Sequence, residues 1–281
     1  MRVRQLNRIV FLGLLALLLS ACALSLKQSE SRFSSDDMLA QQLARVERAL
    51  EQAPGGERRV LFVGSAQHSQ SLAFQGDVLL VQKRLQAVNP KMQSIILSNE
   101  AQTSQPVYPF ATLKTLTQAF ERMAGWSRKY PLTVVVLLTT RGQVDTLSSN
   151  VANDYQAPIQ SRHLRSWFEA LGDTPTVIIL SACYSGSFVP RLAASNRIVL
   201  AAAAADRNSF ACNDRSENTH FIGELFGAGF EPSHTWQQNF ERTRRGIEKK
   251  ENAMHLAPPS SPTGSIPDAM ASRTIAEFLT L

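Results

Sequence analysis

The chain has 281 residues, enough for one large domain or two small ones. Hydrophobic residues make up 44% and charged residues 19%, which is ordinary globular usage and excludes a disordered or fibrous chain. The formal net charge is +6, but beyond three arginines in the first eight residues the basic side chains are interspersed with acids, so no nucleic-acid partner is indicated. The one long apolar run lies at the N-terminus, which excludes a polytopic membrane protein.

The first 22 residues have the order of an export signal. Three arginines precede an apolar stretch over 9–19 that is too short to span a bilayer. This stretch ends in Leu-Ser-Ala-Cys, which resembles the bacterial lipobox with Cys22 as the lipidated residue. The alternative is a plain secretory signal with an unmodified cysteine. We predict a signal peptide over 1–21 and a lipid anchor in the bacterial cell envelope. By the same resemblance, Ala23 favours the outer membrane, with the protein facing the periplasm.

Helices and strands are predicted to alternate through the rest of the chain, after a Ser-rich tether over 22–35. Helical spacing of apolar residues predicts helices at 36–53, 72–88, 111–126, 162–171, 221–228 and 234–254. Short apolar runs predict strands at 59–64, 93–97, 132–139, 176–181 and 197–202. Because these runs are almost continuously Val, Ile and Leu and alternate with helices, they indicate a parallel sheet covered on both faces. One α/β domain over 36–256 follows, with a Pro/Ser linker and a last helix over 257–281.

Two strand ends carry residues capable of chemistry, and ligands bind at the carboxyl ends of such strands. The strand at 132–139 leads into Thr-Thr-Arg-Gly, and the strand at 176–181 leads into Ala-Cys-Tyr-Ser-Gly. A cysteine in a tight turn after a strand can act as a nucleophile, with free backbone N–H groups beside it. Taken alone, Cys183 also fits a buried core thiol.

The residues around Cys183 resemble the bacterial branch of the legumain-like cysteine peptidases. The resemblance rests on Ser-Ala-Cys-Tyr-Ser-Gly at 181–186 and on Ala-Asp-Arg-Asn-Ser-Phe-Ala-Cys at 205–212. It implies a caspase-like fold, a three-layer sandwich with a mostly parallel, about six-stranded sheet. It also implies cleavage of peptides after Asn or Asp by a cysteine–histidine dyad, with Cys183 as nucleophile and Gly142 in the oxyanion hole.

The chain departs from this family at the dyad. Arg141 stands where the family pattern Thr-Ser-His-Gly has its histidine. A guanidinium group is too basic to titrate near neutral pH and has no acceptor, so it cannot take the thiol proton and return it to a leaving amine. We expect the Arg141 charge to lower the pKa of Cys183 instead, giving a thiolate that reacts with electrophiles but hydrolyses amides poorly.

The remaining candidates are weaker. His68 follows the first strand and can reach the same edge of the sheet, but a solvated loop histidine is the alternative. Asp206 and Ser185 are candidate peptide-binding residues, and a loop cap is an equal interpretation for Asp206. A Cys183–Cys212 disulfide is conceivable in an oxidising envelope, but the family carries both cysteines and we expect free thiols. No ligand spacing indicates a metal, and we expect no cofactor.

Three functions remain open on these residues. The first is a degenerate family member that binds a peptide or protein, with impaired or lost peptidase activity. The second is an active Asn- or Asp-directed cysteine endopeptidase that uses Cys183 with an unconventional base. The third is a thiol-redox or structural lipoprotein.

Overall fold

A computed structural model describes residues 35–99, 106–152, 154–213 and 216–280 of the chain. The strands are β1 Arg59–Ala66, β2 Gln93–Ser98, β3 Leu132–Thr139, β4 Gly142–Gln143, β5 Thr146–Leu147, β6 Asn150–Val151, β7 Asp154–Tyr155, β8 Ile159–Gln160, β9 Thr176–Ser181, β10 Arg197–Ala201 and β11 Thr263–Ser265. The helices are α1 over 35–52, α2 Leu72–Val88, α3 Leu113–Ser127, α4 Ser161–Ala170, α5 Val189–Leu192, α6 His220–Phe226, α7 Trp236–Ala253, α8 Asp268–Ala271 and α9 Ile275–Thr280.

Six of the described strands form one sheet in the order β11-β10-β9-β3-β1-β2. The five strands from β1 to β10 in this sheet pair in parallel, and β11 pairs with β10 in the antiparallel sense. This architecture confirms the predicted caspase-like α/β fold with a mostly parallel six-stranded sheet.

Helices cover both faces of this sheet, and alternate residues of each strand point to opposite cores. In β3, Val134, Val136 and Leu138 belong to the core under α1, α3, α4 and α5. Val135 and Leu137 belong to the core under α2, α6, α7, α8 and α9. Every residue of β3 is buried, which explains why its sequence is a continuous apolar run rather than an alternating one.

The first helix, α1, packs on the domain and protects an edge of the sheet. Its apolar residues Leu39, Val46 and Leu50 are buried in the first core. Gln42 accepts a hydrogen bond from the Ile96 amide at 2.9 Å and donates one to the Ile96 carbonyl at 3.0 Å. The side chain of Gln42 thus satisfies backbone groups of the edge strand β2 that no neighbouring strand pairs.

The C-terminal segment differs from the predicted linker. Thr263–Ser265, inside the Pro/Ser-rich stretch, forms β11 and closes the sheet beside β10. The last helix is also part of the domain, because Ile275, Phe278 and Leu279 are buried in the second core. A three-residue edge strand without large apolar side chains leaves little pattern in the sequence, so composition alone suggested a linker.

Candidate functional site

The two loops predicted to carry chemistry meet at the carboxyl ends of β3 and β9. Thr139 and Ser181 are paired across these strands, and the Thr140 amide donates to the Ser181 carbonyl at 3.1 Å. A Cβ atom added to Gly142 would lie 2.5 Å from the carbonyl oxygen of Cys183. The backbones of Gly142 and Cys183 are therefore in direct contact, at a distance that only glycine permits. The structure thus brings these two predicted residues together, and the oxyanion-hole role of Gly142 stays a prediction.

The turn that carries Cys183 is held by the segment after β10. Tyr184 adopts the left-handed conformation with φ of 57°, and its amide donates to the Arg207 carbonyl at 2.7 Å. The amide of Gly186 donates to the Ala203 carbonyl at 2.9 Å. Ser185 is fully buried, and its hydroxyl accepts from the Ala203 amide at 3.2 Å. Predicted as a binding residue, Ser185 is engaged with the backbone below the surface and stabilises the turn.

The sulfur of Cys183 lies against Ser209 and Cys212. It accepts a hydrogen bond from the Ser209 amide at 3.3 Å and lies 3.7 Å from the Ser209 hydroxyl. A hydrogen bond from the Cys212 thiol is the leading cause that lowers the pKa of Cys183 to about 6, against the opposing effect of burial, and the Ser209 groups lower it further. At neutral pH Cys183 is therefore largely a thiolate.

Cys212 is the proton-bearing partner of this pair. Its sulfur lies 3.7 Å from the same Ser209 hydroxyl, and both cysteines are free thiols. The pKa of Cys212 is raised well above its ordinary value, first because its thiol proton is held in the hydrogen bond to Cys183 and then because the thiol is buried. The proton of this pair of thiols therefore stays on Cys212, and the negative charge lies on Cys183.

Arg141 acts on a different group from the one expected. Its side chain is exposed, and its backbone carbonyl accepts from the Ser148 amide at 2.9 Å. The expectation that the guanidinium lowers the pKa of Cys183 is wrong, because that pKa is lowered by the Cys212 thiol, by the Ser209 groups and by the backbone of Cys183. The Arg141 charge instead helps to lower the pKa of His68.

All five histidines lie in the described part of the chain, and the hydrogen bonds described for the Cys183 sulfur include none of them. His68 is 1% exposed and lies beside the rings of Phe74 and Tyr155, with centroids 6.2 Å and 6.1 Å away. Its Nδ1 accepts from the Gln70 amide at 3.3 Å, while Nε2 is buried without a described partner. Burial and then the Arg141 charge lower the pKa of His68 to about 4, so its ring is neutral. The alternative of a solvated loop histidine does not describe this environment.

Asp77 is a residue of the site that the sequence did not single out. It lies on α2 and is fully buried, and its carboxyl accepts from the Thr139 hydroxyl at 2.8 Å and from the amide and hydroxyl of Thr219 at 2.9 Å each. The Ser181 hydroxyl lies 2.9 Å from the Thr219 hydroxyl in the same cluster. Burial raises the pKa of Asp77 to about 7, although its hydrogen bonds lower it. This carboxyl ties the ends of β3 and β9 to the start of α6.

The last two predicted site residues are Asp206 and Cys22. The side chain of Asp206 is 72% exposed and forms an ion pair with Arg207 at 3.0 Å, so it lies at the surface beside the Cys183 turn and its peptide-binding role stays a prediction. Cys22 lies outside the described residues.

Among the described residues, no group of three or more His, Cys, Asp or Glu side chains is placed to hold a metal ion. None of the helices described combines the length and the apolar character of a membrane span.

Comparison with known families agrees with this geometry. The model of the peptidase C13 family matches residues 132–270, which run from β3 through the Cys183 turn to α8. The chain therefore belongs to the legumain-like family of cysteine peptidases. A search of curated proteins gives no match.

The first prediction concerns the ionisation of Cys183. Its alkylation by iodoacetamide should increase with pH around a midpoint near pH 6, because its pKa is about 6 and the thiolate is the reacting form. Cys212→Ala removes the leading cause of the low pKa and should move the midpoint upward. Cys212→Ser keeps a hydroxyl donor and should move it less. The measurement is the labelling rate of the Cys183 peptide against pH. An unchanged midpoint in Cys212→Ala would show that another group sets the pKa.

The second prediction concerns Asp77 and stability. Since the folded-state pKa of Asp77 is about 7, its contribution to stability is present below the unfolded pKa of ~3.9 and is lost as the pH rises through 7. His68 and His220 oppose it, because their folded pKa values of about 4 make stability increase with pH up to ~6.5. In Asp77→Asn only the contributions of the histidines to this pH dependence remain, so the free energy of unfolding should rise with pH more steeply than in the wild type. The expected difference between the two slopes is about 1.4 kcal/mol per pH unit.

Urea denaturation between about pH 4.5 and 6.5 measures this slope. Thr139→Val is the matched control, because it removes one hydrogen bond to Asp77 but keeps the carboxyl, and it should keep the wild-type slope. Equal slopes for wild type and Asp77→Asn would contradict the raised pKa.

Proposed function

We propose that this protein is an envelope lipoprotein of the legumain-like family that binds a peptide or protein beside Cys183, with impaired or lost peptidase activity. The observation that carries the proposal is the environment of the Cys183 sulfur. Its described hydrogen-bonding partner is Ser209, and the Cys212 thiol lowers its pKa. Neither group transfers protons near neutral pH as an imidazole does. Membership of a peptidase family supports a peptide or protein as the ligand.

Hydrolysis of an amide at a cysteine requires a thiolate nucleophile and a proton donor. The surroundings of Cys183 favour only the first of these. The nucleophile must be a thiolate, which the Cys212 thiol and the Ser209 amide favour at Cys183. A second group must then donate a proton to the leaving amine. At the family's histidine position stands Arg141, whose guanidinium group lacks the acceptor nitrogen of an imidazole. The protein is therefore expected to react with electrophiles at Cys183 and to turn over peptides poorly.

One observation favours the second candidate, an active Asn- or Asp-directed endopeptidase with an unconventional base. His68 follows β1, the strand beside β3, and its Nε2 atom is buried without a described partner. A histidine is the natural proton carrier for such a reaction, and movement of this ring toward Cys183 would supply one. Its pKa of about 4 argues against it, because so weak a base takes up little of a thiol's proton at neutral pH.

The third prediction separates these candidates at Arg141. Arg141→His restores a titratable group at the family position and should raise hydrolysis of Asn- and Asp-containing peptides by at least about 100-fold, the lower range for a general acid–base group. Arg141→Gln is the matched control, since it removes the charge without adding a base, and it should stay inactive. Rates are measured with fluorogenic peptides.

An Asn- or Asp-directed electrophile titrates Cys183 in each of these variants. Labelling of the wild type without peptide turnover is the expected result. The absence of labelling would remove Cys183 as a nucleophile. A wild type that already cleaves peptides, with no gain in Arg141→His, would favour the active enzyme, and loss of that cleavage in His68→Gln would identify its base.

The fourth prediction concerns the anchor. The lipobox-like residues 19–22 support acylation of Cys22, and several acyl chains on one residue give stable membrane attachment. Expressed in a bacterial host fed a radiolabelled fatty acid, the full chain should incorporate label and fractionate with membranes, whereas Cys22→Ser should do neither. Cys212→Ser retains Cys22 and is the control for thiol loss. Unlabelled wild-type protein released in soluble form would favour a plain secretory signal.

A further inference from the structure

The paired thiols beside the candidate site suggest a second chemistry, which does not depend on peptide binding or cleavage. We propose that Cys183 and Cys212 form a reversible disulfide by exchange with an external disulfide, such as oxidised glutathione or a protein disulfide. In this exchange Cys183 is the attacking residue and Cys212 is the resolving residue. The bond would cap the nucleophile in an oxidising compartment and release it on reduction.

The geometry brings the two sulfurs to the same hydroxyl group. Each lies 3.7 Å from the hydroxyl of Ser209, and the interaction between the two thiols lowers the pKa of Cys183 and raises that of Cys212. Bond formation requires a further approach to about 2.05 Å. Residues 202–213, which carry Cys212, contain no helix or strand. The backbone bonds that join this segment to the Cys183 turn are made by Ala203 and Arg207, which precede Cys212 along the chain.

The environments of the two cysteines give them different roles. Cys183 is partly exposed and ionises near pH 6, so it is the thiolate that meets an external disulfide first. The thiol of Cys212 is held protonated mainly by its hydrogen bond to the Cys183 sulfur. Once Cys183 has entered a mixed disulfide, that negative acceptor is gone and Cys212 ionises more easily. Attack by the first thiol therefore activates the second.

The exchange balances in two steps. The Cys183 thiolate attacks one sulfur of the external disulfide, forms a mixed disulfide and releases one thiolate. Cys212 then loses its proton to solvent and attacks the Cys183 sulfur, which forms the Cys183–Cys212 bond and releases the second thiolate. Two cysteines of the protein are oxidised and one external disulfide is reduced to two thiols.

The fifth prediction is tested on the full chain with oxidised glutathione, followed by blocking of free thiols and digestion without reductant. Trypsin cuts after Arg191 and Arg207, so the two cysteines fall in separate peptides, 166–191 and 208–215. Cys22 falls in a third. In the wild type we expect the first two peptides to be linked and labelling of Cys183 by the electrophile probe to be lost until a reductant is added.

Single-cysteine variants assign the two roles. Cys212→Ser should stop at a persistent glutathione adduct on Cys183, and Cys183→Ser should leave Cys212 largely unmodified. The proposal is overturned if the wild type accumulates the same persistent adduct as Cys212→Ser, or if Cys183 does not react with oxidised glutathione. Probe labelling of the reduced wild type tests the proposed function separately, because disulfide mapping does not require any peptide to bind.

Discussion

The buried carboxyl of Asp77 links the strand ends on which the candidate site is built. It accepts hydrogen bonds from Thr139 at the end of β3 and from Thr219 at the start of α6, and the Ser181 hydroxyl at the end of β9 bonds to Thr219. Burial of a carboxyl group away from water costs free energy, and the hydrogen bonds from these donors offset that cost. With Thr139 and Ser181 paired, the loops that follow start side by side, which is why Gly142 contacts the backbone of Cys183.

A cysteine peptidase must both ionise its thiol and move a proton, and this site separates the two requirements. In a cysteine–histidine dyad the imidazole performs both functions. Here the hydrogen bond from Cys212 and the amide of Ser209 stabilise the Cys183 thiolate, while neither supplies a proton to a leaving amine near neutral pH. The charge of Arg141 reinforces this separation, because after burial it is the second cause that lowers the pKa of His68 to about 4.

The sequence predicts the central part of this fold closely and its periphery poorly. The strands Leu132–Thr139 and Thr176–Ser181 were predicted to the residue, because burial on both faces makes them continuous apolar runs. Parallel strand ends share one edge of the sheet, so the meeting of Gly142 and Cys183 followed from strand order. Asp77 was missed because its partners lie 62 and 142 residues away along the chain. A Cys183–Cys212 pair was conceivable from the sequence, but the separation of the two thiols was not predictable, since Cys212 lies in an irregular segment without periodicity.

The proposed loss of the proton carrier also determines which leaving groups the site can release. An amine must be protonated before it can leave, so a thiolate without an acid partner stalls on amides. A thiol leaves a disulfide as the thiolate, which is stable near neutral pH and needs no proton from the protein. The same surroundings that disfavour peptide hydrolysis at Cys183 are therefore sufficient for thiol–disulfide exchange. Under the proposed function, replacement of the family histidine by Arg141 removes proton transfer but leaves intact thiol–disulfide exchange, for which Cys212 lies against the same Ser209 hydroxyl as Cys183.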